Sequence, residues 1–412
     1  MGSSEVRRGM MTRRLFAVVL AGGAVAAVGG CAEPGAGPEG DGVEERAAVA
    51  RACTFLDRRV EEAAGGIRQG LPRSYTGGWM ERHHSTAAFT YDVALVVIAY
   101  CALGTDADLA KATALADTLL ALQEDDGSVR QSYASGKVTA PDGLPAVAAT
   151  GSFTGAQAWT GLAFLHVHRR LGEAAYRDGA VRIADWIQDR ADGPGGIPGY
   201  TGGIAAAGTP LTWKSTEHNI DVAAFFGALA DVTGDRRWSG RAAVAKGFVD
   251  ALWDPEAGAF WTGTGTDGST VNRTPVPEDP QSWSYLASGD SWHAASLDWA
   301  LARLAAEDGG FTGVSVSDAD TSKVWFEGTA HMAAALRRRG GGRDRDRAGV
   351  FLASLRSAQA HAPNADGLGI VAASSDGLRT GDGDTLYASL HTGTTAWFVL
   401  AATGADPFLL TV

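Results

Sequence analysis

Six short glycine-containing segments recur along the chain, and each one can end a helix. They are ALGTD at 102–106, RLGE at 170–173, VTGD at 232–235, ASGD at 287–290, RRGG at 338–341 and ATGAD at 402–406. Glycine readily adopts the left-handed conformation that ends a helix. Successive stops lie roughly 50 to 70 residues apart, which leaves room for two helices and a loop. The spacing therefore predicts a repeated helix pair.

The two helices of each predicted pair differ in polarity. The helix before each stop is apolar nearly all round, at 86–103, 153–171, 217–232, 280–287, 324–339 and 392–402. Its partner has a charged face, at 43–64, 106–123, 173–190, 235–252, 291–306 and 343–360. Apolar helices are buried and amphipathic ones lie outside. The pattern predicts an all-α double ring of six inner and six outer helices, with strand-like patterns confined to the loops.

The long loops all precede inner helices, so we expect function on that face of the ring. The stretch 211–235, LTWKSTEHNIDVAAFFGALADVTGD, is the richest in chemically useful side chains. Ser215 and Thr216 can cap its helix, and Gly234 can end it. An ordinary surface helix rarely combines an aromatic, an acid, an imidazole and an amide in its first turn. We interpret this start as the edge of an active site.

The other inner helices also begin with polar or aromatic side chains. Parallel inner helices bring these starts to one mouth of the ring, where backbone N–H groups and helix dipoles also point. The predicted substrate contacts are Tyr91, Gln157, Trp213, His218, Asn219, Asp221, Gln281, Trp283, Trp325 and His391.

This organisation resembles the (α/α)6 toroid of the six-hairpin glycosidase superfamily over residues 43 to 408. The resemblance rests on the helix-pair repeat and the inner-helix starts, not on one diagnostic motif. It implies that residues 43–412 form one toroid domain that acts on an oligo- or polysaccharide. The leading hypothesis is a glycoside hydrolase that needs no cofactor.

Glycosidic cleavage needs two carboxyl groups, one to protonate the leaving oxygen and one to activate water or attack directly. The predicted catalytic residues are Glu327, Asp92 and Glu217. Glu327 lies in VWFEGTAHM, where apolar neighbours are expected to raise its pKa, as a general acid requires. His331, one turn later, could orient it. Each of these acids could instead only stabilise a helix N-terminus.

Three other functions stay open. A sugar epimerase or isomerase, resembling N-acylglucosamine and cellobiose epimerases, would use His218 and His391 to abstract protons. A polysaccharide lyase would act on an acidic sugar, although no Arg/Lys cluster accompanies the predicted mouth. A glycan-binding lipoprotein would keep the ring without the chemistry. Paired acids across the mouth favour hydrolysis, whereas histidines without paired acids favour epimerisation.

The N-terminal thirty residues have the pattern of an export signal. TRRLF at 12–16 resembles a twin-arginine motif, an apolar run follows at 15–28, and VGGC at 28–31 resembles a lipobox. The resemblance to bacterial lipoproteins implies that Cys31 is acylated, that 31–42 is a flexible tether and that the protein is anchored outside the cytoplasmic membrane, extracellularly or in the periplasm. A plain secretory signal with a chance cysteine is the alternative.

Composition limits the remaining partners. A net charge of −12 argues against nucleic acid. Cys53 and Cys101 lie in apolar helical patterns as buried thiols, and scattered histidines make no zinc set. The acidic loops 318–320 and 381–384 are interpreted as solvated turns rather than calcium sites. There is no P-loop, dinucleotide fingerprint or GxSxG. We therefore expect a monomer without metal or cofactor.

Overall fold

The computed structural model describes residues 38–64, 70–136, 139–191 and 195–410. The predicted signal and Cys31 lie outside these residues. The described α-helices are α1 Pro38–Ala63, α2 Gly78–Arg82, α3 Thr90–Leu103, α4 Asp106–Ala121, α5 Thr154–Leu171, α6 Ala174–Ala191, α7 Thr216–Thr233, α8 Arg236–Ala251, α9 Asp279–Ser288, α10 Ala294–Arg303, α11 Phe326–Arg339, α12 Gly342–His361 and α13 Thr392–Thr403.

Twelve of these helices form the predicted double ring. The inner helices α3, α5, α7, α9, α11 and α13 each pack against the next, and α13 packs against α3, which closes the ring. Outside them lie α4, α6, α8, α10 and α12, each packed on the inner helix that it follows in the chain. The sixth outer helix is α1, which packs on α13. The predicted all-α toroid is confirmed.

All six predicted glycine stops are confirmed as left-handed caps. The residue after each inner helix has φ between 68° and 76°, at Gly104, Gly172, Gly234, Gly289, Gly340 and Gly404. These tight turns return the chain along the outer layer. They leave all six inner-helix N-termini at the same end of the ring.

Three helices have a predicted bound that is wrong by three residues or more. The first helix begins at Pro38, so it includes the last five residues of the predicted tether. The first inner helix begins at Thr90, because the residues before it pair as a strand. The helix predicted to end at residue 306 ends at Arg303, because a β-hairpin follows. The two residues of the hairpin turn are Gly309 and Gly310. Their φ angles are 61° and 85°, the positive values that a two-residue hairpin turn requires.

Short strands occur only in the connections that lead into inner helices, within the described residues. They pair in the orders β1-β17-β14, β2-β3-β4, β5-β6-β7, β8-β9, β10-β11, β12-β13 and β15-β16. Their bounds are β1 Tyr75–Thr76, β2 Ala87–Phe89, β3 Ser132–Ala134, β4 Val147–Ala149, β5 Ser152–Phe153, β6 Gly203–Ile204, β7 Pro210–Leu211, β8 Trp253–Asp254, β9 Ala259–Phe260, β10 Gly263–Thr264, β11 Val271–Asn272, β12 Ala305–Asp308, β13 Phe311–Val314, β14 Ile370–Val371, β15 Leu378–Arg379, β16 Thr385–Leu386 and β17 Leu390–His391.

Aromatic rings fill the centre of the inner ring. Trp159 of α5 lies 5.3 Å from Trp283 of α9 and 5.9 Å from Trp397 of α13, measured between ring centroids. Phe408, after the last helix, lies 5.0 Å from Trp159. The ring is therefore a packed core and not a channel, and polar chemistry is confined to its mouth. None of the described helices is long and apolar enough to cross a membrane.

The contact between α5 and α7 depends on a glycine. A Cβ at Gly161 would lie 2.2 Å from Cζ of the buried Phe225 ring. Gly161→Ala should therefore lower the free energy of unfolding by about 1–3 kcal/mol through overpacking. Gly227→Ala on α7 is the matched control, because its Cβ would meet no atom within 4 Å and should stabilise the helix by up to about 1 kcal/mol. Urea unfolding measures both, and a Gly161→Ala protein as stable as the wild type would contradict this packing.

Candidate active site

Three predicted substrate contacts instead anchor the loops. The side-chain amides of Gln157, Asn219 and Gln281 are fully buried. Each amide makes two hydrogen bonds of 2.8 to 3.0 Å to one residue in the preceding loop. It accepts from the backbone N–H of that residue and donates to its carbonyl oxygen. The loop residue is Val129 for Gln157, Tyr200 for Asn219 and Phe260 for Gln281. In α11 and α13, the hydroxyls of Thr329 and Thr395 likewise each accept a hydrogen bond from a loop backbone N–H. We therefore exclude these three amides from the candidate site.

Two of the predicted catalytic acids are brought together, but an imidazole separates them. His391 Nε2 lies 3.3 Å from Asp92 Oδ1, and His391 Nδ1 lies 3.3 Å from Glu327 Oε2. All three residues are buried. The imidazole fills the space between the Asp92 and Glu327 carboxylates, so these two acids do not face each other across an open cleft.

The two carboxylates hold His391 as an imidazolium. Burial alone would lower its pKa, but the charge and hydrogen bond of Asp92, with those of Glu327, raise it to about 10. The Tyr75 ring stacks on the imidazole at 4.2 Å. Nδ1 also lies 2.9 Å from the Thr394 hydroxyl and 3.2 Å from the Thr394 backbone N–H. A protonated Nδ1 can donate to Glu327 and to the Thr394 hydroxyl, and with a carboxylate at each nitrogen these contacts outweigh the longer one from the backbone N–H.

Glu327 does not have the raised pKa expected from its apolar neighbours. Burial would raise it, but the hydrogen bond and charge of His391, the charge of His331 and the hydrogen bond from Tyr91 together lower the pKa. The Tyr91 hydroxyl donates to Glu327 Oε1 over 2.8 Å, and the Trp397 indole N–H donates to the Tyr91 oxygen over 2.9 Å. Glu327 is thus an ionised carboxylate that cannot supply a proton at neutral pH.

A second acid–histidine pair lies beside Glu327. Glu278 and His331 are completely buried, and His331 Nδ1 lies 3.0 Å from Glu278 Oε2 and 3.4 Å from Asp279 Oδ1. Burial raises the pKa of Glu278 to about 7, although the hydrogen bond from His331 opposes the rise. His331 Nε2 lies 3.9 Å from Glu327 Oε1. Sequence reasoning missed Glu278, because an acid just before a proline-containing helix start suggests only a helix cap.

Glu278, Asp279 and His331 are also the donors that could hold a metal ion in the described part of the chain. Their ligand atoms lie within 4.8 Å of one another. A hydrogen bond between His331 Nδ1 and Glu278 Oε2 joins two of these three residues directly. The three side chains alone do not require an ion.

One carboxyl group of α7 has a raised pKa. Asp221 is 1% exposed, and among the described residues neither of its oxygens makes a hydrogen bond of standard distance and angle. Burial and then the charges of Glu217 and Asp279 raise its pKa well above the usual range, and the Trp159 indole only partly offsets this. Glu217, predicted as a catalytic acid, is half-buried and acts on Asp221 through its charge.

The predicted aromatic residues lie around these acids. Trp213 packs on His218 with ring centroids 5.5 Å apart, while Trp283 and Trp325 lie 5.1 Å and 5.3 Å from His331. Gly155 allows α5 to approach α7 closely, because a Cβ at this position would lie 2.7 Å from His218 Cδ2. The predicted site residues therefore form two groups, one around Glu327 and one around Asp221.

The raised pKa of His391 links this cluster to stability. A histidine whose folded pKa of about 10 exceeds its unfolded pKa of about 6.5 contributes stability that is complete below pH 6.5. That contribution is lost as the pH rises towards 10. We expect the free energy of unfolding of the wild type to fall between pH 7 and pH 10, and the fall to be smaller in His391→Gln. Urea unfolding at four pH values tests this, and parallel curves for the two proteins would contradict it.

Comparison with known proteins supports the fold. No protein-family model and no curated protein sequence matches the chain. A sugar epimerase from a ruminal bacterium has a TM-score of 0.64 at 14% identity, covering 89% of this chain and 99% of its own. Cellobiose 2-epimerase from Bacillus thermoamylovorans B4167 has a TM-score of 0.64 at 10% identity, covering 87% and 99%. The GH76 α-mannanase BT2949 of Bacteroides thetaiotaomicron has a TM-score of 0.59 at 10% identity, covering 89% and 98%. At these identities the chain shares their toroid fold.

Proposed function

We propose that the protein is a glycoside hydrolase in which Asp221 donates the proton and Glu327 is the ionised carboxylate. The observation that carries this proposal is the opposite direction of their pKa shifts, since Asp221 is raised and Glu327 is lowered. Carboxyl groups whose environments push their pKa values apart are the usual acid and base of such a reaction. Both belong to inner-helix starts at the same mouth of the ring.

The neighbours of each acid suit these roles. The Trp159 indole can only donate to Asp221, and no described group accepts from its carboxyl, so its proton is available to the glycosidic oxygen of a sugar. Glu327 is held by Tyr91 at one oxygen and faces His391 at the other. Its charge can stabilise the oxocarbenium-like transition state and either activate water or attack the anomeric carbon. Trp159 connects the two groups, because it lies beside Asp221 and 5.4 Å from the Tyr91 ring.

Other predicted residues support the two acids. Asp92 keeps His391 charged, and His391 in turn keeps Glu327 ionised. Glu217 favours the neutral form of Asp221. Trp213, with its ring half-buried beside His218, is suited to stack against a sugar ring. We therefore propose Asp92 and Glu217 as supporting groups rather than as the reacting pair.

Sugar epimerisation or isomerisation is the second candidate function. It is favoured by the three histidines at inner-helix starts, His218, His331 and His391. An epimerase needs a neutral base, however, and His391 has a carboxylate at each nitrogen and a pKa of about 10. Hydrolysis matches the directions of the two pKa shifts, raised at Asp221 and lowered at Glu327, so it is the preferred proposal.

Substitution of the two acids tests the assignment. Asp221→Asn and Glu327→Gln should each lower kcat by about 10²–10⁴-fold, because each removes an acid or base while keeping its shape. The assay is release of reducing ends from a panel of oligo- and polysaccharides and of nitrophenyl glycosides. Nitrophenyl leaving groups need no proton, so they should restore turnover to Asp221→Asn and not to Glu327→Gln.

The matched control for these acids is Asp406→Asn. Asp406 is a half-buried carboxyl after the last inner helix, where desolvation raises its pKa to about 6, and it pairs with Arg338. This variant should lose stability but keep normal turnover per folded molecule. Near-normal turnover in Glu327→Gln, or no hydrolysis of any panel member by the wild type, would contradict the proposal.

We also propose that the enzyme works outside the cytoplasm, anchored by acylation of Cys31. The support is the sequence of residues 12–31 alone. Cys31→Ser should move the protein from the membrane fraction to the soluble fraction without changing its melting temperature. Immunoblots of the two fractions measure this. Equal membrane retention of the variant and the wild type would mean that Cys31 is not the anchor.

A further inference from the structure

Two acid-backed imidazoles flank the Glu327 carboxylate. His391 faces Oε2 and has Asp92 at its other nitrogen. His331 faces Oε1 and has Glu278 at its other nitrogen. The proposed function already uses the first pair through the charge of His391. The second pair is equally buried and has no role in the reaction described above.

We propose that Glu278 and His331 are positioning residues for Glu327, in which Glu278 fixes the imidazole so that its Nε2 faces the oxygen that Tyr91 binds. The inference rests on the proposed role of Glu327 as the ionised carboxylate. His331 and Glu327 are separated by one helical turn on the same face of α11, so this alignment is built into the helix. Glu278 reaches the imidazole from the adjacent α9 start.

The geometry shows that Nδ1 of His331 carries a proton. Nδ1 lies within 3.4 Å of two carboxylate oxygens, those of Glu278 and Asp279, so it donates to that side. Nε2 is buried and has no hydrogen-bond partner among the described residues. Nothing at Nε2 holds the ring in place, so the orientation depends on the Glu278 side. An unpartnered buried nitrogen is costly, and its position facing Glu327 provides a reason to retain it.

The effect on Glu327 is electrostatic. At 3.9 Å the contact between Nε2 and Oε1 is too long for a hydrogen bond, but charges interact strongly in a buried site. Three groups face Glu327, namely Tyr91 from α3, His391 from β17 and His331 from its own helix. Asp92 lies behind His391, and Glu278 and Asp279 lie behind His331. The two imidazoles flank opposite oxygens of Glu327, and both lower its pKa.

The first test needs no substrate. His331→Gln and Glu327→Gln should each lower the melting temperature, and the double variant should lose less than the sum of the two losses, because each residue acts through the other. His166→Gln is the matched control. His166 is a buried histidine of α5 that bonds the Pro407 carbonyl over 2.9 Å. The decrease in melting temperature caused by His166→Gln should add to the decrease caused by Glu327→Gln. Additive losses for His331 and Glu327 would overturn the proposal.

The second test is the pH profile of kcat/KM, measured on the panel member that the wild type cleaves fastest. The acidic limb reports ionisation of the essential carboxylate in the free enzyme. It should move to higher pH by about one unit in His331→Gln, because the carboxylate loses a favourable neighbour. Glu278→Leu should move it in the same direction, whereas Glu278→Gln, which can still accept from Nδ1, should restore the wild-type limb. His166→Gln should leave it in place.

The outcomes separate this inference from the proposed function. An unmoved acidic limb in His331→Gln, or equal effects of Glu278→Gln and Glu278→Leu, would overturn the positioning role while Glu327 stays catalytic. Normal turnover in Glu327→Gln would instead overturn the proposed function, and the non-additive melting temperatures would then still report the coupling between His331 and Glu327.

Discussion

The contact between Asp92 and His391 connects the first inner helix to the last. The surrounding backbone reinforces it, because Tyr75 of β1 pairs with His391 of β17, and α3 packs on α13. Gly393 permits the approach, since a Cβ there would lie 2.5 Å from Asp92 Oδ1. The same imidazole faces Glu327 with its other nitrogen. One buried ion pair therefore contributes both to closure of the ring and to ionisation of the proposed catalytic carboxylate.

The Glu327 group and the Asp221 group differ in how buried charge is compensated. Around Glu327, two imidazoles and a tyrosine hydroxyl favour the anion. Around Asp221, burial and then the neighbouring carboxylates favour the neutral acid. A ring of parallel helices brings these environments together because every inner helix begins at the same end. One fold can thus hold a proton donor and a carboxylate at the same pH.

The fold was predictable from sequence because its signals are local. Each glycine stop and each apolar helix can be recognised within about twenty residues. The chemistry was less predictable, because it depends on contacts between distant segments. The pKa of Glu327 follows from His391, and its apolar sequence neighbours predicted the opposite direction. Gln157, Asn219 and Gln281 have the polar character of substrate contacts, and only the loop backbone that they bind reveals their structural role.

The central claim is that the mouth breaks a glycosidic bond rather than rearranging a sugar. Proton NMR of an oligosaccharide panel incubated with the wild-type protein in D2O tests this most directly, because both reactions are visible in the same spectra. We predict new reducing-end anomeric signals, loss of the linkage signals and no deuterium at C2 of the reducing sugar. Deuterium at C2, with a second sugar epimer and an intact linkage, would contradict the account and identify the chemistry as epimerisation.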